Sequence, residues 1–98
     1  MNGSARVSGP IFTLSGSGSI SSSYNSIFTG VTNAVYLLSV NTGQIDGTYA
    51  TFIVYLEEPT STRISGNNVT LSLSGNTIQL KSENNASYNI TWNALRLS

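Results

Sequence analysis

The side chains that most often carry enzyme chemistry are scarce in this sequence. It contains no histidine and no cysteine, so neither a Ser-His or Cys-His nucleophile pair nor the common zinc and copper ligand sets can be assembled. Its carboxylates are limited to Asp46, Glu57, Glu58 and Glu83. Asp46 precedes a turn glycine and the two adjacent glutamates precede Pro59, which is typical of solvated turn residues rather than of a paired acid and base. We therefore expect no enzyme activity, no metal site and no cofactor.

Aromatic side chains are the second group that could do chemistry, by stacking on a ligand. Tyr88 and Trp92 lie on one face of a predicted strand, with Ile90 between them. Tyr24 stands alone in a serine-rich segment. An apolar aromatic face suits the C–H-rich face of a sugar ring, so Tyr24, Tyr88 and Trp92 are candidate carbohydrate-binding residues. The alternative for Tyr88 and Trp92 is a place in the core beside Ile90.

The number and distribution of charged residues indicate which classes of binding partner to expect. Four basic and four acidic residues give zero net charge, and charged residues make up 8% of the 98-residue chain, against about 25% in an ordinary soluble domain. There is no basic stripe for nucleic acid and no polybasic segment for an anionic membrane surface. The longest apolar run is much shorter than the roughly 20 residues that span a bilayer. We expect neither a nucleic-acid partner nor membrane insertion.

Alternation of apolar and polar residues predicts β-structure. Residues 69–73 and 77–81 alternate strictly, and Gly75-Asn76 between them is typical of a two-residue hairpin turn. No segment has helical periodicity with capping residues. Six to eight short strands at close spacing are typical of a β-sandwich. We predict an all-β, antiparallel, jelly-roll-like β-sandwich over residues 11–98, after a flexible lead-in or linker at residues 1–10.

The two longest predicted strands, residues 34–40 and 49–56, carry apolar residues on both faces. Such strands must be covered on both faces, and a chain without helices has little of its own to supply the second cover. Another copy of the chain would supply it; the alternative is a monomer whose residues 11–30 cover these strands. We predict a homotrimer in which one face fills the intrachain core and the other meets a neighbour. The residues predicted to meet the neighbour are Val35, Leu37, Ile53 and Tyr55.

The last predicted strand changes phase near its end. Tyr88, Ile90 and Trp92 share one parity, whereas Leu95 and Leu97 have the other. This change predicts a bulge near Ala94, or a strand that leaves its first sheet.

Residues 33–40 and 49–56 form paired aliphatic-aromatic strands around a glycine-containing loop, and residues 88–98 form a terminal strand. In these segments the chain resembles the C-terminal distal domains of bacteriophage tail fibres and tailspikes. The resemblance implies a homotrimer of β-sandwiches at a fibre tip, in the virion tail and outside the cell, which stabilises the trimer or contacts the host surface. The alternative function is a carbohydrate-binding module for a bacterial surface polysaccharide. Some related tips are self-cleaving, but this sequence has no evident cleavage dyad.

Overall fold

A computed structural model describes residues 13–43 and 49–98, which form eight β-strands. The described ranges contain no helix, and therefore none long and apolar enough to cross a membrane. The predicted lead-in at residues 1–10 lies outside the described residues, as does Asp46. The strands are β1 (Thr13–Ile20), β2 (Asn25–Thr29), β3 (Val35–Asn41), β4 (Tyr49–Tyr55), β5 (Thr60–Asn67), β6 (Val69–Ser74), β7 (Thr77–Ser82) and β8 (Tyr88–Arg96).

The strands form two antiparallel sheets that pack face to face, which confirms the predicted all-β sandwich. In the described ranges the large sheet has the strand order β1-β8-β3-β4-β5, and the small sheet has the order β2-β7-β6. The pairing of β1 with β8 and of β2 with β7 is nested, as in a jelly roll. The remaining strands β3, β4 and β5 follow one another as a meander within the large sheet.

The core lies between the two sheets, and strands β3, β4, β7 and β8 supply alternate residues to it. In β3 the buried positions are Tyr36, Leu38 and Val40, because side chains of a strand point to opposite faces in turn. Each large apolar side chain buried in this way contributes roughly 1.5–3 kcal/mol relative to exposure. The largest fully buried side chains are Tyr36, Ile20, Leu38, Ile78, Leu80, Val54 and Val69.

The predicted hairpin is confirmed. Strands β6 and β7 pair antiparallel, and Ser74 lies opposite Thr77 across the Gly75-Asn76 turn. Gly75 has φ +59°, which the two-residue hairpin turns require at their first central position. The local turn chemistry therefore sets the register of this hairpin.

Replacing Gly75 with valine is expected to lower the free energy of unfolding by about 1–2 kcal/mol, because a branched side chain resists positive φ. A Cβ at this position meets no atom within 4 Å, so the loss is conformational and not steric. Gly75→Asn is the matched control and should lose less, since asparagine tolerates positive φ. Urea unfolding measures both variants, and an unchanged midpoint for Gly75→Val would contradict the assigned turn.

The bulge near Ala94, or the departure of the last strand from its first sheet, that the sequence predicted is wrong. Strand β8 stays in register with both β1 and β3 through Leu95, so Ala94 faces the core and Leu95 faces the other side of the large sheet. Leu95 lies opposite Leu37 of β3. A register shift occurs instead in β5, where Ile64 is the extra residue opposite the Thr51-Phe52 step of β4. The parity change therefore marks a strand whose outer face is polar up to Asn93 and becomes apolar at Leu95.

Between β5 and β6 the chain passes from the large sheet to the small sheet through a single residue, Asn68, which has φ +66°. Its side-chain oxygen accepts a hydrogen bond from the Glu83 backbone N–H at 3.0 Å, and its backbone oxygen accepts from the same group at 3.1 Å. Two residues earlier, Gly66 has φ +111° and lies directly against the backbone of Tyr49 and Ala50. This corner joins β5 to β6 with no loop between the sheets.

Candidate functional site

The large sheet has one face on the core, and its other face, called the outer face, points away from the small sheet. Cross-strand register identifies the residues on it, since directly paired residues share a face. Among the described strand residues of the outer face, none carries a charge. They are Thr13, Ser15, Ser17 and Ser19 of β1; Asn89, Thr91, Asn93 and Leu95 of β8; Val35, Leu37, Ser39 and Asn41 of β3; Tyr49, Thr51, Ile53 and Tyr55 of β4; and Thr60, Thr62, Ser65 and Asn67 of β5.

Apolar side chains gather at one end of the outer face. Leu37 lies between Ile53 on one side and Leu95 on the other. Val35 lies opposite Tyr55, which is 43% exposed, and the Leu97 N–H donates to the Val35 carbonyl at 2.7 Å, which extends the ladder. We call this cluster the apolar end, and its residues are Val35, Leu37, Ile53, Tyr55, Leu95 and Leu97.

The four residues predicted to meet a neighbour all lie on the outer face, and the opposite parity of the same strands fills the core. The alternative cover, residues 11–30 of the same chain, is not supported by its described part. Residues 13–30 form β1 at the edge of the large sheet and β2 in the small sheet, and neither strand crosses the outer face. Within the described residues, the apolar end has no intrachain cover.

Trp92 is a core residue, which removes it from the candidates for a sugar-stacking surface. Its side chain is 9% exposed. The Phe28 ring stacks on it with a centroid distance of 4.7 Å and an interplanar angle of 11°. On β1, Gly16 lies so close that a Cβ there would stand 2.9 Å from the Trp92 Cζ2 atom. The ring is therefore enclosed between the sheets, as the alternative interpretation of the sequence expected.

The other two aromatic candidates lie in separate surroundings. The Tyr88 side chain is half-buried, and its hydroxyl accepts hydrogen bonds from the side-chain amides of Asn84 at 2.6 Å and Asn68 at 3.5 Å. Tyr24 is exposed, with the Lys81 Nζ atom 5.0 Å from its ring centroid. The structure therefore does not bring Tyr24, Tyr88 and Trp92 together into one platform.

The carboxylates in the described residues occupy turns, as the sequence predicted. Glu57 and Glu58 are exposed between β4 and β5. Glu83 follows β7, where its Oε2 atom lies 3.5 Å from Arg63 and accepts a hydrogen bond from the Thr70 hydroxyl. Among the described residues, no three histidine, cysteine, aspartate or glutamate side chains are grouped so that they could hold a metal ion.

Three residues of the outer face were not among those that the sequence assigned to it. Leu95 and Leu97 enlarge the apolar end, and their parity was the available signal. Tyr49 lies at the opposite, polar end of the outer face, opposite Asn41, and is 49% exposed. Its position beside polar groups depends on the register of β3 and β4, which local sequence does not reveal.

Comparison with known proteins found no family model that matches the sequence, no curated protein that matches it and no solved structure that matches its fold. Similarity therefore assigns no family to the chain.

Proposed function

We propose that this domain is a C-terminal domain of a bacteriophage tail fibre or tailspike, in the virion tail and outside the cell, which assembles as a homotrimer and stabilises the fibre. In this proposal it has no enzyme activity, and at the fibre tip it faces the host surface. The observation that carries the proposal is the apolar end of an uncharged outer face, without intrachain cover in the described residues. The number of subunits follows from the resemblance to tail-fibre domains.

The energetics of the outer face favour association through it. Full burial of a large apolar side chain contributes roughly 1.5–3 kcal/mol relative to exposure. In the single chain Tyr55 and Leu97 are exposed, whereas the other four side chains of the apolar end are already half-buried and gain only part of this energy. Association costs about 4–15 kcal/mol of translational and rotational freedom, which a contact of this size can offset. The described outward strand residues carry no charge, so none of them adds an ion-desolvation cost to the contact.

A carbohydrate-binding module is the alternative that the sequence left open. It would need aromatic residues other than Trp92, because that ring is enclosed by Phe28 and by β1. The apolar end also does not suit a sugar-binding surface, since it offers few hydrogen-bonding groups to hydroxyls. The subunit-contact role therefore has the stronger physical support.

Sedimentation of the wild-type protein and of Ile53→Asp tests the proposed assembly. We expect the wild type to sediment as a trimer that dissociates on dilution and responds weakly to salt, since no ion pair holds it. Ile53→Asp places a charge at the centre of the apolar end and should sediment as a folded monomer. Ser65→Asp is the matched control, because it adds the same charge on the same face outside the apolar end, and it should remain trimeric.

Two outcomes would contradict this proposal. A wild-type protein that stays monomeric at high concentration would show that the outer face is not a subunit contact. A folded, trimeric Ile53→Asp would show that the trimer forms through a different surface.

A further inference from the structure

A groove opens at the polar end of the outer face, which is the end opposite to the apolar end along the strands. Its volume is about 580 Å³, which is within the range of small-molecule sites. The first residues after β3, the first part of β8 and the middle of β1 line it. Its side-chain hydrogen-bonding groups come from Ser17, Asn41, Thr42, Asn89 and Thr91.

The side chains around Asn41 are held in place by local hydrogen bonds. The Asn41 Oδ1 atom accepts a hydrogen bond from the Gly43 N–H at 2.6 Å, which fixes the direction of that side chain. The Thr91 hydroxyl lies 3.5 Å from the Asn41 carbonyl oxygen, within donating distance. The Asn41 and Thr91 side chains are therefore oriented, and the groove presents neutral amide and hydroxyl groups, which both donate and accept hydrogen bonds.

Tyr49 is the cross-strand neighbour of Asn41, which is one of the residues that line this groove. It pairs directly with Asn41 across β3 and β4, so both side chains share the outer face. About half of its surface is exposed, at 49%. An aromatic ring provides an apolar face beside the polar groups of the groove, and that combination matches a ligand whose rings have C–H faces and hydroxyl edges.

We propose that Tyr49 and the groove beside it bind a neutral oligosaccharide. Hydroxyl groups of the sugar exchange hydrogen bonds with Asn41, Asn89 and Thr91, and one sugar ring stacks on Tyr49. The described outward strand residues include no cationic group of the kind that binds an anionic polymer. The site lies at the other end of the outer face from the proposed subunit contact, so it does not depend on the trimer.

Titration of the isotope-labelled protein with cellohexaose, maltohexaose, chitohexaose and hexagalacturonate, followed by backbone-amide NMR shifts, tests this site. We expect at least one of the three neutral hexasaccharides to give saturable shifts at Asn41, Thr91 and Ser17, and hexagalacturonate to bind more weakly. Tyr49→Ala should weaken binding by about tenfold through loss of stacking, whereas Tyr49→Phe keeps the ring and most of the affinity.

Tyr55→Ala is the matched control, because Tyr55 is a similarly exposed tyrosine on the same strand and face, at the apolar end. It should leave saccharide affinity unchanged even if it weakens the oligomer, so failure of the site and failure of the subunit contact are distinguishable. Circular dichroism checks that the variants are folded. The proposal is overturned if no neutral hexasaccharide gives saturable shifts, if Tyr49→Ala binds as the wild type does, or if hexagalacturonate binds most tightly.

Discussion

Replacing Gly66 with alanine is expected to lower the free energy of unfolding by about 3–5 kcal/mol, through backbone strain and overpacking together. Gly66 has φ +111°, a conformation that residues with a side chain rarely adopt. A Cβ there would also overlap the Tyr49 carbonyl oxygen and the Ala50 Cα atom. Both belong to the backbone of β4, which cannot rotate away as a side chain can.

Gly43→Ala is the matched control for this effect. Gly43 also has positive φ, at +73°, but a Cβ there meets no atom within 4 Å, so only conformational strain of about 1 kcal/mol is expected. Urea unfolding followed by fluorescence of Trp92, the single tryptophan of the chain, measures both variants. Equal losses for the two would show that the close approach of β5 to β4 at Gly66 does not limit stability.

Trp92→Ala is expected to cost about 3–5 kcal/mol, the usual range for removing a large buried aromatic side chain. The substitution removes the stacked contact with Phe28 and leaves a cavity beneath Gly16 of β1. Domains of this size are stable by only about 5–15 kcal/mol in total, so this loss is a large share of the stability of the domain.

Two further variants serve as controls for Trp92→Ala. Trp92→Phe keeps an aromatic partner for Phe28 and should lose much less than Trp92→Ala. Tyr24→Ala removes an exposed ring and should change stability by about 0.5 kcal/mol or less. Circular dichroism monitors urea unfolding in this series, because the Trp92 variants lack the fluorescent reporter. A Trp92→Ala protein as stable as Tyr24→Ala would contradict the enclosed position of the ring.

Local alternation was enough to predict the strands that carry strong apolar patterns. The hairpin at Gly75 and the two-faced character of β3 and β4 follow from residue types at spacings of two. The choice of Leu37 and Ile53 for the outer face also agrees with the structure. These predictions agree with the structure because each depends only on residues that are close together in the sequence.

Features that depend on distant pairing are only partly predictable from the sequence. The serine- and glycine-rich residues 15–23 predict a loop or a weak edge strand; the edge strand β1 forms there because it pairs with β8 and because Gly16 admits the Trp92 ring. Leu95 was interpreted as a bulge signal, since nothing local shows that β8 lies beside β3. Tyr49 likewise could not be placed next to Asn41 until the register of β3 and β4 was known.

The position of β8 between β1 and β3 has a consequence for the order of events during synthesis. Thr13 lies opposite Leu95, so the large sheet pairs the first described strand with the last. While the ribosome has not yet produced residues 88–96, β1 and β3 have no shared neighbour, and each has an open edge. Sheets rich in such distant pairs fold slowly, over milliseconds to seconds. We therefore expect nascent chains to remain unfolded until β8 has emerged, so that subunits meet through this domain only after translation has passed it.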